Sequence, residues 1–423
     1  MVASPVPNVL NSRHLQNVRL QVRSLHAQVI TWRRQIHQYP ELGFEETLTA
    51  QFIIQKLDQW GIDYTAGIAK TGIVAIIQGD RPGPVLAIRA DMDALPIQEE
   101  NDLEYRSKHP GKMHACGHDA HIAIALGTVC YLASHRHTFS GTVKIIFQPA
   151  EEGPGGAKPM IEAGVLQNPQ VDAMIGLHVW QQLPIGTVGV KAGALMAAVE
   201  TFRVTVLGRG GHGAIPQQTV DSIVVAAQIV NALQTIVARN IDPIESAVVT
   251  VGEFHAGTAC NVIADTARLS GTVRYFNSQY ADYFHHRIEQ LVSGVCAMHG
   301  ATYELSYEKY YPPLINDARI AEFVRNVALD VVAETDSLMP NDLTSIDRVT
   351  PHCQTMGGED MAYFLQEVPG CYFFLGSANA DRGLTFPHHH PHFNIDETAL
   401  ALGMELFIRC VEQFSSTTTH HSR

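Results

Sequence analysis

The chain has 423 residues, of which 46% are hydrophobic and 17% charged, and its formal net charge at pH 7 is -13. This length is sufficient for a large core and predicts two domains in a globular protein. The acidic balance argues against a nucleic-acid-binding protein, which normally has a basic face, but a locally positive pocket can still take small anions.

Cysteine usage and the N-terminal segment bear on the cellular compartment. Seven cysteines are scattered along the chain without any short-range framework, and we interpret them as reduced thiols. The opening stretch, MVASPVPNVLNSRHLQ, lacks the apolar core of a signal sequence. No uninterrupted apolar run is long enough to span a membrane. We therefore expect a cytoplasmic protein with no membrane segment.

Helical and apolar strand patterns alternate in the first part of the chain. Helices are predicted at residues 16–38 and 46–60, separated by a segment that contains Pro40 and Gly43. Buried strands are predicted for GPVLAIRADMD, TVKIIFQ, VDAMIGLHVW and, near the C-terminus, GCYFFLGSA, with a helix after HACGHD. This alternation predicts an α/β fold with a mainly parallel sheet that is covered by helices.

Carboxylate and imidazole side chains, which can bind metals or transfer protons, lie at the ends of these strands. Asp91 and Asp93 end the first strand, Glu151 and Glu152 follow the second, and His178 is predicted to end the third. Open α/β sheets bind their ligands beyond the carboxyl ends of the strands. We therefore expect these side chains to converge at one edge of the sheet.

The middle of the chain has a different pattern. Strand, helix, strand, strand, helix and strand follow each other between AVETFRVTVLG and ATYELSYEKYY, which is the order of a ferredoxin-like domain. We predict an inserted domain at residues 193–308. The catalytic domain is then discontinuous, comprising residues 1–192 and 309–423.

The stretch MHACGHDAH contains Cys116 and His118, which suit several kinds of site. A zinc finger needs a second closely spaced ligand pair, and a redox motif needs C-x-x-C; neither is present. Taken singly, a Cys-x-His pair, an acidic pair in a loop and a strand histidine are more often structural than ligands. Together at one sheet edge, thiolate, imidazole and carboxylate groups favour a transition-metal site.

The motifs as a set resemble a known family. RADMDALP, MHACGHDAH, QPAEEG, GLHVW, GRGGHGAIP, GTVRYF, GGEDMAYF and HHHPHFNIDE occur in the order found in dinuclear-metal amidohydrolases of the aminoacylase and carboxypeptidase class. The most similar branch contains hippurate hydrolases and plant hydrolases of auxin–amino-acid conjugates. The resemblance extends from about Trp32 to Phe414. Met361 departs from the aromatic residue usual in the family, and we expect only a change in packing there.

The resemblance implies two divalent cations per subunit, which could be Zn, Mn or Co. Cys116 bridges them in this scheme, and the remaining ligands are His118, Glu152, His178 and His389. The family pattern His-x-Pro-x-Phe selects His389 within HHHPHF, although His388, His390 and His392 are its close neighbours. A thiolate bridge is softer than a carboxylate bridge and adds sensitivity to oxidation.

The resemblance also assigns the groups around the metals. Glu151 is the general base, because an adjacent Glu-Glu pair lets one carboxylate bind metal while the other carries a proton. Asp91, Asp93 and Asp119 are expected to orient the ligands.

Three residues of the inserted domain complete the expected site. His212 lies in a Gly-rich turn and is expected to stabilise the oxyanion, and Asn261 and Arg274 are expected to bind substrate. Without the resemblance, an exposed loop histidine and an exposed strand arginine are the simpler interpretations. The resemblance further implies that the inserted domain is a lid and dimerisation domain, with the lid histidine reaching the active site of the partner in a homodimer.

These expectations define a metal-dependent amidohydrolase. The substrate is a small molecule, an N-acyl-L-amino acid, which is cleaved to a carboxylic acid and a free amino acid. A dipeptidase or carboxypeptidase on the same scaffold is the nearest alternative. A non-catalytic metal-binding protein is disfavoured, because a structural metal site needs no base such as Glu151.

Overall fold

The computed structural model describes residues 12–153, 155–334 and 347–417. Its α-helices are α1 (Ser12–Gln38), α2 (Thr47–Gln59), α3 (His118–Ser134), α4 (Ala157–Glu162), α5 (Ser222–Asn240), α6 (Tyr283–His299), α7 (Ala318–Ala333), α8 (Met361–Glu367) and α9 (Thr398–Thr417). Its strands are β1 (Asp63–Ile68), β2 (Gly72–Gln78), β3 (Arg81–Asp91), β4 (Ser140–Gln148), β5 (Ala173–Pro184), β6 (Val188–Gly189), β7 (Gly193–Met196), β8 (Val199–Leu207), β9 (Gly211–His212), β10 (Ala247–Ala256), β11 (Val262–Ile263), β12 (Thr266–Tyr275), β13 (Thr302–Tyr311), β14 (Leu314–Asn316), β15 (Val349–Thr350) and β16 (Gly370–Ala378).

The chain divides into two compact units. The first comprises Met1–Gly193, Asn316–Cys353 and Tyr363–Arg423, and the second comprises Ala194–Ile315 and Gln354–Ala362. The second unit thus extends past residue 308, where the sequence pattern placed the end of the inserted domain. Its short additional segment is held to residues 194–197 by backbone hydrogen bonds, for example from the Ala197 amide to the Gly357 carbonyl (2.9 Å).

The first unit is built on an eight-stranded mixed sheet with the order β1-β2-β4-β3-β5-β16-β6-β15. The central strands β4, β3, β5 and β16 are parallel, and the hairpin of β1 and β2 adds an antiparallel edge. Helices α1, α3 and α9 pack against one another, and α3 and α9 pack on the sheet. The predicted α/β class with a mainly parallel sheet is confirmed.

The two faces of this sheet differ in chemistry because side chains alternate along each strand. One face adds residues such as Ile145 and Ile175 to the apolar core under α1, α3 and α9. The opposite face includes Arg89, Lys144 and His178, all of which are buried. His178 therefore extends from the polar face.

The second unit contains an antiparallel sheet with the order β10-β12-β8-β13. Its elements follow the chain order β8, α5, β10, β12, α6 and β13, which is the predicted ferredoxin-like order. Helices α5 and α6 pack on each other and on this sheet to form its core.

Helix α5 is the one helix in the described ranges that is long and apolar enough to cross a membrane by length and composition. Its stripe of Val225, Ile229, Leu233 and Ile236 is buried in the core of the second unit. The spacing of these residues is that of an amphipathic helix packed on a sheet, which accounts for the apolar composition of α5.

Candidate metal centre

The start of α3 positions the first two candidate ligands. Gly117 adopts φ +89°, and a Cβ at this position would lie 2.3 Å from Cγ2 of Val179. This tight turn places Cys116 just before the helix and His118 at its first residue. The Sγ atom of Cys116 lies 3.4 Å from Nε2 of His178, and ligand atoms of all three side chains lie within 4.8 Å of one another.

The remaining predicted ligands join the same cluster. Nε2 of His389 lies 3.2 Å from Oε1 of Glu152, and Nε2 of His118 lies 3.9 Å from the same oxygen. Donor atoms of Cys116, Glu152 and His389 lie within 4.8 Å of one another, as do those of His118, Glu151 and Glu152. The fold therefore brings together five candidate ligands and the candidate base from segments far apart in the chain.

Hydrogen bonds fix which nitrogen of two histidines is available. Nδ1 of His118 donates to the Asp93 carbonyl (2.9 Å), and Nδ1 of His178 donates to the Val179 carbonyl (2.6 Å). Nδ1 of each ring is thereby engaged, and Nε2 is the nitrogen with which the ring can bind a cation once it carries no proton. Nε2 of His118 is buried and has no hydrogen-bond partner among the described residues, which is the state expected of a nitrogen that faces a cation.

The electrostatics of the cluster also suit a cation. Burial raises the pKa of the Cys116 thiol well above its usual value, and the carboxylates of Glu152 and Glu151 raise it further. Burial lowers the pKa of His178, which keeps its imidazole neutral and able to bind metal. A thiolate is stable in this acidic pocket only beside a compensating positive charge, so this donor set fits divalent transition metals.

Asp93 holds the turn that carries the paired glutamates. Its Oδ1 accepts from the Glu151 amide and its Oδ2 from the Glu152 amide, both at 2.9 Å. The preceding residue, Ala150, has φ +54° and donates its amide to Oε1 of the buried Glu46 (2.9 Å). Asp93 therefore holds the backbone of both glutamates in place. Glu46, which the sequence analysis did not single out, also stabilises the turn through its bond to the Ala150 amide.

Asp91 lies between a buried arginine and two histidines. Oδ2 accepts from Arg89 Nη1 (2.6 Å) and lies 3.7 Å from Nε2 of His118, while Oδ1 accepts from Nδ1 of His121 (2.5 Å). Burial opposes ionisation, but the Arg89 guanidinium and the neighbouring rings of His118 and His121 hold the pKa of Asp91 well below its usual value. Asp91 thus contacts one candidate ligand directly.

Asp119 has other partners than expected. Its Oδ2 accepts from Nε of Arg33 (2.9 Å) and Nδ1 of His37 (2.8 Å), and these contacts join α1 to the start of α3. Arg33 is fully buried and also donates to Asn394 Oδ1 (3.0 Å) and Glu397 Oε1 (3.1 Å). Asp119 therefore secures the helix that carries His118, and both partners of its Oδ2 lie on α1.

His178 does not end its strand, contrary to the sequence prediction. Strand β5 continues to Pro184, and His178 enters the site from within the strand. The parallel pairing of His178 with Phe374 of β16 continues the sheet past this point. A strand histidine can reach the cluster because it lies on the polar face of the sheet.

The four histidines of residues 388–392 have separate surroundings. His389 has φ +65°, and its amide donates to the Ala115 carbonyl (2.8 Å), which brings the loop beside Cys116. His388 donates from Nε2 to the Val179 carbonyl (2.8 Å), and burial lowers its pKa to about 4. The His390 ring stacks on Phe386, and His392 lies 3.4 Å from Glu100. Of the four, His389 is the one grouped with Cys116 and Glu152.

The three candidate residues of the second unit lie on two elements. A two-stranded ribbon pairs His212 with Val262, and the Gly213 amide donates to the Asn261 carbonyl (2.8 Å), so His212 and Asn261 are neighbours. Nδ1 of the exposed His212 accepts from the Ala214 amide (3.0 Å), which leaves the proton on Nε2. Arg274 lies on β12, and burial lowers its pKa; no ion pair joins it to a carboxylate within the described ranges.

Comparisons with known proteins agree with this geometry. The sequence profile described as peptidase family M20/M25/M40 matches residues 87–413. An N-acyl-L-amino acid amidohydrolase of Geobacillus stearothermophilus is 44% identical over 302 residues, which are 71% of this chain and 81% of the relative. Thermostable carboxypeptidase 1 of Saccharolobus solfataricus is 38% identical over 393 residues, covering 92% of this chain and 96% of the relative. A solved structure of a dinuclear metal-binding peptidase from Bacillus subtilis has a TM-score of 0.78 at 36% identity, covering 93% and 99% of the two chains.

Proposed function

Because the chain belongs to peptidase family M20/M25/M40, we propose that it is a metal-dependent hydrolase that cleaves the amide bond of N-acyl-L-amino acids. The products are a carboxylic acid and a free amino acid. One observation carries the proposal: Glu151 is buried beside the ligand cluster and is held by Asp93 on the same turn as Glu152. A site with a purely structural metal needs no second carboxylate in this position.

The proposed cofactor is a pair of divalent cations held by Cys116, His118, Glu152, His178 and His389. When bound, such a pair lowers the pKa of a shared water and polarises the scissile carbonyl. The sequence and the donor set admit Zn, Mn and Co. Support for two ions comes from the number of candidate ligands and from the dinuclear relative.

The residues of the chain perform the proton transfers in this proposal. Glu151 accepts a proton from the attacking water and later delivers it to the nitrogen of the leaving amino acid. His212 donates from Nε2 to the oxyanion that develops on the carbonyl. The Arg274 guanidinium binds the substrate carboxylate, and the lack of a carboxylate partner for it in the described ranges supports that role. Asn261, the neighbour of His212, adds a polar contact to the substrate.

The test is hydrolysis of a panel of N-acyl amino acids with Mn, Co or Zn. We expect Glu151→Gln to keep its metal and to lose about 10²- to 10⁴-fold in kcat, the usual contribution of general acid–base catalysis. The matched variant one residue along, Glu152→Gln, should lose metal. Full turnover by Glu151→Gln, or no metal-dependent turnover by the unmodified protein, contradicts the mechanism.

Carboxypeptidase activity is the second candidate, and the relative of that name favours it. Both reactions hydrolyse an amide next to a free carboxylate, so the same site serves either. Comparing kcat/KM for N-acyl amino acids with that for dipeptides and longer peptides decides between them. A preference for peptides over acylated amino acids would overturn the first assignment.

We also propose a homodimer in which His212 acts in the partner's active site. Exposure of His212 and of apolar residues Val248 and Phe254 on the edge strand β10 supports an interface on the second unit. Mixing inactive His212→Ala with inactive Glu151→Gln should restore partial activity in heterodimers. Verified heterodimers that remain inactive would exclude action between subunits.

A cytoplasmic location completes the proposal. All seven cysteines are free, as expected of a protein kept in a reducing compartment. Fractionation of cells that produce the protein tests this location.

A further inference from the structure

The backbone amide and carbonyl of Val179 lie at the centre of a hydrogen-bonded cluster beside the metal centre. Its amide donates to Nε2 of His121 (2.9 Å). Its carbonyl accepts from Nδ1 of His178 (2.6 Å) and from Nε2 of His388 (2.8 Å). The backbone of this one residue, through the two peptide groups that flank its Cα, therefore contacts the ring of the candidate ligand His178 and the residue next to another, His389.

The protonation pattern of His121 follows from its two contacts. Nε2 accepts from a backbone amide and must carry a lone pair, so the proton lies on Nδ1, which donates to Asp91 Oδ1 (2.5 Å). The side chain is 2% exposed. Although donor atoms of Asp91, His118 and His121 lie within 4.8 Å of one another, both nitrogens of His121 are already used. His121 is thus unsuited to bind a cation.

The acceptor that holds His121 is itself fixed. Asp91 Oδ2 accepts from the buried Arg89 (2.6 Å), and Arg89 also donates to Gln148 Oε1 (2.8 Å) on the neighbouring strand β4. A continuous set of buried hydrogen bonds therefore runs from the sheet through Asp91 and His121 to Val179. It ends at the Val179 amide, and the carbonyl of the same residue orients the His178 ring.

We propose that His121 is a positioning residue, which fixes the backbone of Val179 and through it the orientation of His178 and of the loop that carries His389. The inference rests on the proposed function only in taking these two histidines as metal ligands. Outer contacts of this kind usually change metal affinity by about 10- to 100-fold when removed. His121 has this effect without touching the metal or the substrate.

Two polar variants separate the contacts of His121. Glutamine has an acceptor near the place of Nε2 and retains the bond from the Val179 amide, whereas asparagine reaches only the place of Nδ1 and retains the bond to Asp91. The probe is Co²⁺ alone, titrated into metal-free protein while its absorption spectrum is recorded. Thr128→Val is the control, because Thr128 is a fully buried polar residue of the same helix that bonds only to the Ile124 carbonyl in its own helix (2.9 Å).

We expect His121→Asn to weaken Co²⁺ binding about 10- to 100-fold and to change the Co²⁺ spectrum, while His121→Gln and Thr128→Val stay near the unmodified protein. The circular dichroism of all metal-free variants should be unchanged. Equal losses in the Gln and Asn variants, or unweakened binding in the Asn variant, would overturn the proposal. Since the measurement uses no substrate, Co²⁺ binding without hydrolysis of acyl amino acids would count against the proposed function alone.

Discussion

Two adjacent arginines of α1 offer a sharp test of how the first unit is held together. Arg33 and Arg34 both donate to Glu397, but the Arg33 side chain is fully buried and that of Arg34 is 43% exposed. Arg33 also bonds to Asp119, which follows the candidate ligand His118. We therefore compare Arg33→Met with Arg34→Met, substitutions that remove the same charge at neighbouring positions.

We expect the two substitutions to lower the free energy of unfolding by different amounts, because the Arg33 side chain is buried and that of Arg34 is not. Removing one partner of a buried ion pair costs about 3–5 kcal/mol, since the other charge stays buried without compensation. Asp119 has no exposed surface. Of the hydrogen bonds that its Oδ2 accepts from Arg33 and His37, the Arg33→Met variant keeps the one from His37. In the Arg34–Glu397 pair the Arg34 side chain is 43% exposed, and Glu397 keeps its bond from Arg33 when Arg34 is lost, so we expect the contribution of about 0–1 kcal/mol that is usual for exposed pairs.

The assay is urea unfolding of metal-free protein, followed by tryptophan fluorescence. The three tryptophans, Trp32, Trp60 and Trp180, all lie in the first unit, so the signal reports that unit. We expect Arg33→Met to lower the free energy of unfolding by about 3–5 kcal/mol and Arg34→Met by less than about 1 kcal/mol. Equal losses for the two variants, or a loss below about 1 kcal/mol for Arg33→Met, would refute the reasoning.

Other predictions concern the metal and pH. His389→Ala should lose bound metal, measured by elemental analysis, whereas His390→Ala, whose ring stacks on Phe386, should retain it. Excess Mn, Co or Zn should raise the Tm of the unmodified protein but have little effect on Cys116→Ala; equal shifts would remove Cys116 from the ligand set. Burial lowers the pKa of His114 to about 3, so the unfolded chain binds more protons between pH 6.5 and about 3, and stability falls as the pH is lowered through this window. In metal-free His114→Leu this slope should decrease by up to about 1.4 kcal/mol per pH unit, and an unchanged slope would contradict the burial argument.

The sequence predicted the α/β class, and the polar side chains expected at one sheet edge, because both depend on local patterns. Apolar strands followed by polar residues indicated where the sheet edge lies, whereas the choice of Cys116, Glu152 and His389 as ligands came from the resemblance of short motifs to those of a known family. The ferredoxin-like order was equally readable from alternating and helical periodicities.

Roles that depend on distant partners could not be predicted. A buried arginine is rare unless it is paired, and the partners of Arg33 lie near residues 119 and 394–397. His121 shares its motif with His118, but its two nitrogens are occupied by Asp91 and Val179, which only the folded sheet brings near. The prediction that His178 ends its strand was wrong, because β5 continues to Pro184 and is paired with the distant strand β16 beyond this point.

The packing of α1 on α9 has a consequence for biosynthesis. Arg33 and Arg19 of α1 bond to Glu397 and Glu405 near the other end of the chain, and the last candidate ligand, His389, lies just before α9. A chain emerging from the ribosome can pack α1 on α3 early, but the part of α1 that packs on α9 stays uncovered until α9 has been translated. The core of the second unit, formed by residues between 198 and 307, is complete much sooner. Ribosome-bound nascent chains halted before residue 389 should thus protect the second unit from protease while the first remains open to cleavage.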